Sequence, residues 1–152
     1  MEDTLNNAKK KAMDLLLDMD RTEGDLRKKL RRAGFSEENT DQAVSYVKSY
    51  GYVDDNRYAE HFIEVNRGRK SERRMKYDLE SKGISADIIS RAFLSAGEFD
   101  EMPEIRRLLA KKNRTLDPED PRRREKLSAF LARRGYKTAD IIRAIEENER
   151  LT

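Results

Sequence analysis

The chain contains no cysteine, no tryptophan and only one histidine in 152 residues. The absence of cysteine excludes a disulfide framework and a thiolate metal site, and it fits a reducing compartment. With a single histidine, a cysteine–histidine nucleophile pair and a histidine-rich metal site are excluded as well. That histidine, His61, lies in an amphipathic segment and is predicted to be a surface or boundary residue. We therefore expect no catalytic residues, no metal and no cofactor.

Long apolar runs are also lacking. The N-terminal segment has none that could serve as a signal peptide or a membrane span, so we expect a cytoplasmic protein without membrane contact. Only 36% of the residues are apolar and 41% are charged, which predicts a thin core. The glycines are too far apart to form a phosphate-binding loop.

What the chain does contain is an internal repeat with a period of roughly 50 residues, marked by Gly34, Gly83 and Gly135. A fixed period of this length is typical of small supersecondary units that bury their apolar faces by stacking. Only Thr40 departs from the apolar pattern around the glycines. The recurring positions are Leu26, Leu30, Phe35, Thr40, Ala43 and Val44, then Met75, Leu79, Ile84, Ile89, Ala92 and Phe93, then Leu127, Leu131, Tyr136, Ile141, Ala144 and Ile145.

Helical periodicity predicts three helices in each repeat and no strand. The glycine should end the middle helix in the left-handed conformation, and Ser36 or its counterpart should begin the third helix. Thr22 and Asp25 resemble a capping box at the start of a middle helix, and Asp120-Pro121 is predicted to start another. The predicted fold is all-α, with three tandem three-helix repeats over residues 1–53, 54–101 and 102–152.

Charge is unevenly distributed around a net value of +3. Arg67–Lys82 holds seven basic and three acidic residues, and Pro103–Lys137 holds twelve basic and five acidic. Such clusters favour an acidic partner, either nucleic acid or an anionic protein surface. The candidate contact residues are Arg67, Arg69, Lys70, Arg73, Arg74, Lys76, Arg122, Arg123, Arg124, Arg133 and Arg134.

Three other patterns invite a functional interpretation. Asp54 and Asp55 could form a carboxylate pair, but their place before a helix favours capping. The helix after Ser36 resembles a recognition helix, yet its early acids are unsuited to DNA phosphates. The tyrosines could stack on bases, but their spacing favours packing in or beside the core. Those tyrosines are Tyr46, Tyr50, Tyr58 and Tyr77.

Several segments together resemble the bacterial RecX regulatory proteins. They are Ala12–Leu16, Arg21–Leu30, Gly34-Phe35, Tyr50–Ala59 and Leu79–Ile84, and the Gly-Tyr-Val-Asp-Asp stretch before Arg57 is the most specific. The match covers residues 8 to about 95, while the third repeat matches by its pattern alone. Two features depart from the family: Arg69–Arg74 lacks the usual glycine before the second middle helix, and the long N-terminal extension is absent.

The resemblance implies an elongated, curved array that lies in the groove of the RecA filament on single-stranded DNA. There it would inhibit strand exchange, ATP hydrolysis and the coprotease function that drives the SOS response. Direct contact with DNA phosphate would come from the basic helices. We also expect a monomer, because no repeat shows a spare self-complementary apolar stripe.

Two alternatives remain open from the residues alone. One is a helical repeat protein that binds DNA directly, without sequence preference and without RecA. The other is an adaptor for a different acidic protein, which would bind neither DNA nor the filament.

Overall fold

The computed structural model describes residues 2–151, and over that range the chain forms nine α-helices and no strand. The predicted all-α repeat fold is therefore confirmed. None of the described helices is both long and apolar enough to cross a membrane. The helices are α1 (Leu5–Asp18), α2 (Glu23–Arg32), α3 (Glu37–Ser49), α4 (Asp55–Asn66), α5 (Glu72–Ser81), α6 (Ala86–Ala96), α7 (Met102–Asn113), α8 (Arg123–Arg133) and α9 (Thr138–Leu151).

Short polar side chains begin several helices by accepting hydrogen bonds from the first turn. The Ser36 hydroxyl accepts from the Asn39 amide at 3.1 Å, as the sequence predicts. Helix α8 is a correction, because it begins at Arg123 rather than at Asp120-Pro121. The Asp120 carboxylate accepts from the Arg122 amide at 2.8 Å, which closes a separate turn before the helix starts.

Glycine ends the middle helices as predicted. Gly34 has φ +98°, a conformation that other residues rarely adopt. The Phe35 amide then donates to the Leu30 carbonyl at 3.2 Å, which satisfies a carbonyl that the helix leaves open. The Ile84 amide makes the same bond to Leu79 at 3.2 Å. The following helix is therefore turned back onto the one that has just ended.

The core is built from the recurring positions. All eighteen of them are buried, and Thr40 is among those with no exposed surface. The described residues divide into two compact units. The first runs up to Glu64 and includes Asp78–Ala96, and the second comprises Val65–Tyr77 and the residues from Gly97 onward.

Within the first unit, one hydroxyl connects the first repeat to the second. The Thr22 hydroxyl accepts from the Asp25 amide at 3.1 Å and donates to the Lys82 carbonyl at 2.6 Å. The backbones approach so closely that a Cβ on Gly24 would lie 3.0 Å from the Lys82 oxygen and 3.1 Å from Gly83 Cα. In a complete capping box, the side chain of the third helical residue would accept from the amide of the capping residue. Here the Asp25 carboxylate instead accepts from the Arg21 guanidinium at 3.0 Å.

A carboxylate reinforces the same junction. Half-buried Asp55 accepts from the Glu23 amide at 2.8 Å, so it caps α2 of the preceding repeat. Its neighbour Asp54 caps its own helix, α4, by accepting from the Arg57 amide at 3.1 Å. The predicted capping role thus holds for Asp54, whereas Asp55 has a partner far away in sequence. Burial raises the pKa of Asp55.

Replacing Asp55 should separate its hydrogen bond from its charge. Asp55→Ala leaves the Glu23 amide without its acceptor and should lower the free energy of unfolding by about 1–2 kcal/mol. Asp55→Asn keeps an acceptor and should stay within about 0.5 kcal/mol of the parent. Urea denaturation measures both, and an Asn variant as unstable as the Ala variant would contradict the capping role.

The raised pKa also sets the sign of a pH effect at Asp55. The folded chain holds this proton more tightly than the unfolded chain does, so ionisation lowers stability as the pH rises from 3.8 through the folded value. Asp55→Asn should lack that loss, and its advantage over the parent should therefore grow over the same pH window.

Thr40 gives a second prediction. Its hydroxyl is buried and has no hydrogen-bond partner among the described residues. Thr40→Val should raise the free energy of unfolding by about 1 kcal/mol, because it replaces an unsatisfied polar atom with a methyl group of similar size. Thr22→Val is the matched control and should destabilise, since that hydroxyl makes two hydrogen bonds. Equal effects of the two substitutions in thermal melts would refute the prediction.

Candidate functional site

The two compact units carry opposite net charge. The first holds 13 basic and 17 acidic residues, for a net charge of −4. The second holds 20 basic and 13 acidic residues, for a net charge of +7. The second unit is therefore the one suited to an anionic partner.

In the first unit, several arginines are bound to carboxylates of the same unit. Arg21 is 8% exposed and lies between Asp18 and Asp25, at 3.2 and 3.0 Å. Arg27 pairs with Asp41 and Glu23 in the same way. The charge of these arginines is largely neutralised, and their contacts are those of structural residues.

The second unit contains a cleft in which positive charge is concentrated. Its volume is about 460 Å³, and its walls come from the segment before α5, the first turn of α5, helix α7 and the end of α8. Six cations and a single carboxylate line it. This basic cleft is formed by Arg69, Lys70, Ser71, Arg74, Glu104, Arg107, Leu108, Arg133, Arg134 and Tyr136.

A buried serine positions two sides of the basic cleft. The Ser71 hydroxyl accepts from the Arg74 amide at 3.0 Å and donates to the Arg134 carbonyl at 2.7 Å. A Cβ on Gly135 would lie 2.6 Å from the Ser71 oxygen, so only glycine leaves room for this bond. Arg74 and Arg134 are thereby brought to the same site from helices distant in sequence.

An acidic residue again reinforces the junction. The Glu101 carboxylate accepts from the Glu72 amide at 2.7 Å, at the start of α5. Burial raises the pKa of Glu101, as it does for Asp55 in the first unit. The two junctions are therefore built with the same chemistry.

The cations of the cleft differ in how they are held. Arg107 binds Glu104 through two hydrogen bonds of 2.6 and 3.1 Å, which raise the pKa of Arg107. The Arg134 guanidinium lies 4.5 Å from the centre of the Phe130 ring, a cation–π contact. Arg69 and Arg133 have no carboxylate within ion-pair distance in the part of the chain that the structure describes. Their charge is available to a ligand.

A smaller groove continues from the basic cleft. It has a volume of about 260 Å³ and is lined by Arg73 and Tyr77 together with Arg74, Arg133 and Arg134, which it shares with the cleft. Tyr77 is 60% exposed, and the Arg74 guanidinium lies 5.5 Å from its ring centre. We call this the Tyr77 groove.

Tyr50 and Tyr77 correct the expectation that the four tyrosines pack in or beside the core. Tyr50 and Tyr77 are each 60% exposed, and Tyr46 is 37% exposed. Each lies one helical turn or less from a buried position, so apolar spacing alone could not separate the two faces. Tyr58 is half-buried and stacks on Phe62, with ring centres 6.4 Å apart.

Family comparisons match all three repeats. Residues 8–46 match the first three-helix domain of RecX, residues 54–92 the second, and residues 100–145 the third. The regulatory protein RecX of Trichlorobacter lovleyi is 33% identical over 90% of this chain and 91% of its own length. The chain belongs to the RecX family. It is therefore related to a group of regulatory proteins.

Further comparisons agree with this assignment. RecX of Caldanaerobacter subterraneus is 33% identical over 91% of this chain and 68% of its own length. The crystal structure of RecX from Lactobacillus salivarius has a TM-score of 0.79 at 20% identity and covers 94% of this chain and 95% of that one. At that identity the likeness shows the shared RecX fold.

The structure brings together about half of the basic residues that the sequence analysis named as candidate contacts. Arg69, Lys70, Arg74, Arg133 and Arg134 line the basic cleft, and Arg73 lies in the Tyr77 groove. They converge because the end of α8 meets the start of α5, a contact that the Ser71 hydrogen bonds secure.

The remaining candidates lie outside the basic cleft. The Arg67 guanidinium is 4.2 Å from the Phe99 ring centre, and Lys76 pairs with Glu72 at 3.2 Å. Arg122, Arg123 and Arg124 lie at the start of α8, away from the cleft-forming end. Arg123 donates to Asn113 at 2.7 Å, and Arg124 faces Glu146 and Glu149 at 3.6 and 3.7 Å.

The sequence reasoning missed two contributors to the cleft. Arg107 is on α7, whose bases were not singled out, although it lies in the basic stretch Pro103–Lys137. Tyr136 was assigned only to the core because it occupies a recurring apolar position. The signal that could have revealed it is the hydroxyl, which its counterparts Phe35 and Ile84 lack.

Proposed function

We propose that this RecX family member binds the RecA filament on single-stranded DNA and inhibits its strand exchange, ATP hydrolysis and coprotease activities. It would act as a monomer in the cytoplasm, within DNA repair and the SOS response. It would be a binding protein rather than an enzyme. Membership of the RecX family supports the regulatory role, and the resemblance supplies RecA as the partner.

The observation that carries the proposal is the concentration of cations in the second unit. Six basic side chains and one carboxylate line the basic cleft, and that carboxylate already pairs with Arg107. The excess of positive charge favours an anionic chain, such as DNA held in a filament. Arg69, Arg73 and Arg133 offer charge that no carboxylate of the described residues neutralises.

A second candidate function is direct DNA binding that does not involve RecA. The net charge of +7 on the second unit favours it, because phosphate contacts alone supply non-specific affinity. It predicts tight, steeply salt-dependent binding to naked DNA and inhibition of RecA only once the DNA is saturated.

A matched pair of triple variants tests the role of the basic cleft. Arg69→Glu/Arg73→Glu/Arg133→Glu should raise the concentration needed to inhibit DNA-dependent ATP hydrolysis by RecA about tenfold or more, since three phosphate-directed charges are reversed. Lys10→Glu/Lys28→Glu/Arg32→Glu makes the same charge change on exposed positions of the first unit and should inhibit like the parent. Thermal melts check that both variants fold.

The outcome separates the two functions. Inhibition well below one protein per RecA, together with weak binding to naked DNA, supports action on the filament. Equal inhibition by both triple variants would remove the basic cleft from the proposal. Tight binding to naked DNA, with inhibition of RecA only once that DNA is saturated, would favour the second candidate.

A further inference from the structure

Tyr136 is an anomaly within the repeat. It occupies the position after the helix-ending glycine, where the first two repeats have Phe35 and Ile84. All three side chains are buried, and Tyr136 is only 5% exposed. Phenylalanine would fill the same buried space as the tyrosine ring. The hydroxyl of Tyr136 therefore adds nothing to the packing.

The hydroxyl of Tyr136 has no hydrogen-bond partner among the described residues. It is not one of their fully enclosed unsatisfied atoms either, since Thr40 alone is in that state. Tyr136 lines the basic cleft and also a neighbouring cleft of about 460 Å³ that contains Lys70 and Arg107. Its hydroxyl is therefore a donor without a protein partner among the described residues, in a side chain that borders two clefts and whose oxygen is not fully enclosed.

The surroundings keep this donor protonated. Burial and the nearby charge of Glu104 raise the pKa of Tyr136 to about 12. The charged groups that face it are Glu104, Glu101, Arg134 and Arg107. A neutral O–H among cations can donate to an anion without adding to the repulsion between those cations.

We propose that the basic cleft is a phosphate-binding pocket for single-stranded nucleic acid, in which the Tyr136 hydroxyl donates to a backbone phosphate oxygen. Arg69, Arg133 and Arg134, which line the same cleft, supply the charge around that phosphate. The proposal rests on the proposed function, because it gives the cleft a ligand that the RecA filament contains. It goes further by naming the donor and the chemical group that it binds.

A nucleic-acid chain fits this site better than an isolated anion or an acidic peptide. The basic cleft and the Tyr77 groove share Arg74, Arg133 and Arg134, so positive charge continues beyond a single phosphate. At the far end Tyr77 is 60% exposed, and an exposed aromatic ring beside arginines is suited to stacking on an unpaired base. A peptide carboxylate would use the charges but not the aromatic face.

Tyr136→Phe tests the hydroxyl alone. The variant keeps the ring, and phenylalanine already occupies the equivalent position of the first repeat, so its melting temperature should stay close to that of the parent. Tyr52→Phe, at an exposed tyrosine of the first unit, is the matched control. Affinity for a short fluorescent oligo-dT is measured by anisotropy at two salt concentrations.

The expected result is a loss of about tenfold in oligo-dT affinity for Tyr136→Phe and no change for Tyr52→Phe. The dependence of affinity on salt should remain that of the parent, because no charge is removed. An oligo-dT with an uncharged methylphosphonate backbone should bind weakly and equally to parent and variant. Inorganic phosphate should compete less well against the variant than against the parent.

Three results would overturn the inference. The first is unchanged oligo-dT affinity in Tyr136→Phe, and the second is absence of binding by the parent. The third is an equal loss of affinity for polyglutamate, which would assign the hydroxyl to a carboxylate partner instead.

Inhibition of RecA ATP hydrolysis, measured on the same preparations, separates the Tyr136 proposal from the proposed function. Parent inhibition with unchanged Tyr136→Phe binding contradicts the Tyr136 role alone, whereas the expected loss without any RecA inhibition contradicts the proposed function alone.

Discussion

The structure depends on a hydroxyl that makes two hydrogen bonds at the start of a middle helix. Thr22 and Ser71 each accept from an amide three residues on, and each donates to a carbonyl of the next repeat. One side chain thus satisfies a helix N-terminus and joins two repeats. Both hydroxyl residues are almost fully buried, so their bonds are not exposed to competition from water.

This constraint explains two other features of the sequence. A glycine must follow each accepting carbonyl, because Gly83 and Gly135 leave too little space for a Cβ beside the helix that they meet. A second amide at the start of each middle helix also needs an acceptor. Asp55 accepts from the first amide of α2, and Glu101 accepts from the first amide of α5. The hydrogen bond from the amide offsets only part of the burial effect, so the pKa of both acids stays raised.

The two junctions share their backbone design but differ in charge. The amide that binds Thr22 belongs to Asp25, and the one that binds Ser71 belongs to Arg74. Where the first junction has Gly24, the second has Arg73. The same architecture therefore produces a neutralised surface in the first unit and a basic cleft in the second. The difference in charge between the two junctions thus arises from a few side chains on the same backbone arrangement.

Much of the fold could be predicted from the sequence because its signals are local. The spacing of Leu26, Leu30 and Phe35 around Gly34 specifies a helix, its end and its buried face, and the structure confirms each. The site was harder, because a basic side chain carries no information about its partners. Arg27 and Arg133 look alike in the sequence, yet Arg27 is neutralised by Asp41 and Glu23, while Arg133 lines a cleft without a carboxylate at ion-pair distance among the described residues.

Long-range partners account for the other differences. Asp55 is next to a helix start, and only the folded chain shows that it caps a helix 32 residues away. Tyr136 satisfies the apolar pattern with its ring, and only the folded chain shows that this residue also lines two clefts. The sequence predicts that α8 starts at Asp120-Pro121. In the structure Asp120 instead closes a separate turn, and the helix begins at Arg123.

The most direct test of this explanation is the stability and DNA affinity of Ser71→Ala, compared with Ser85→Ala. Ser85 is an exposed helix cap that accepts from the Ile88 amide at 3.3 Å, and within residues 2–151 it makes no bond to another repeat. If the shared hydroxyl joins the repeats, Ser71→Ala should cost about 2–3 kcal/mol of unfolding free energy and weaken oligo-dT binding, because Arg74 and Arg134 lose their common support. Ser85→Ala should cost about 1 kcal/mol and leave DNA binding unchanged. Equal losses in the two variants, with DNA affinity intact in both, would contradict it.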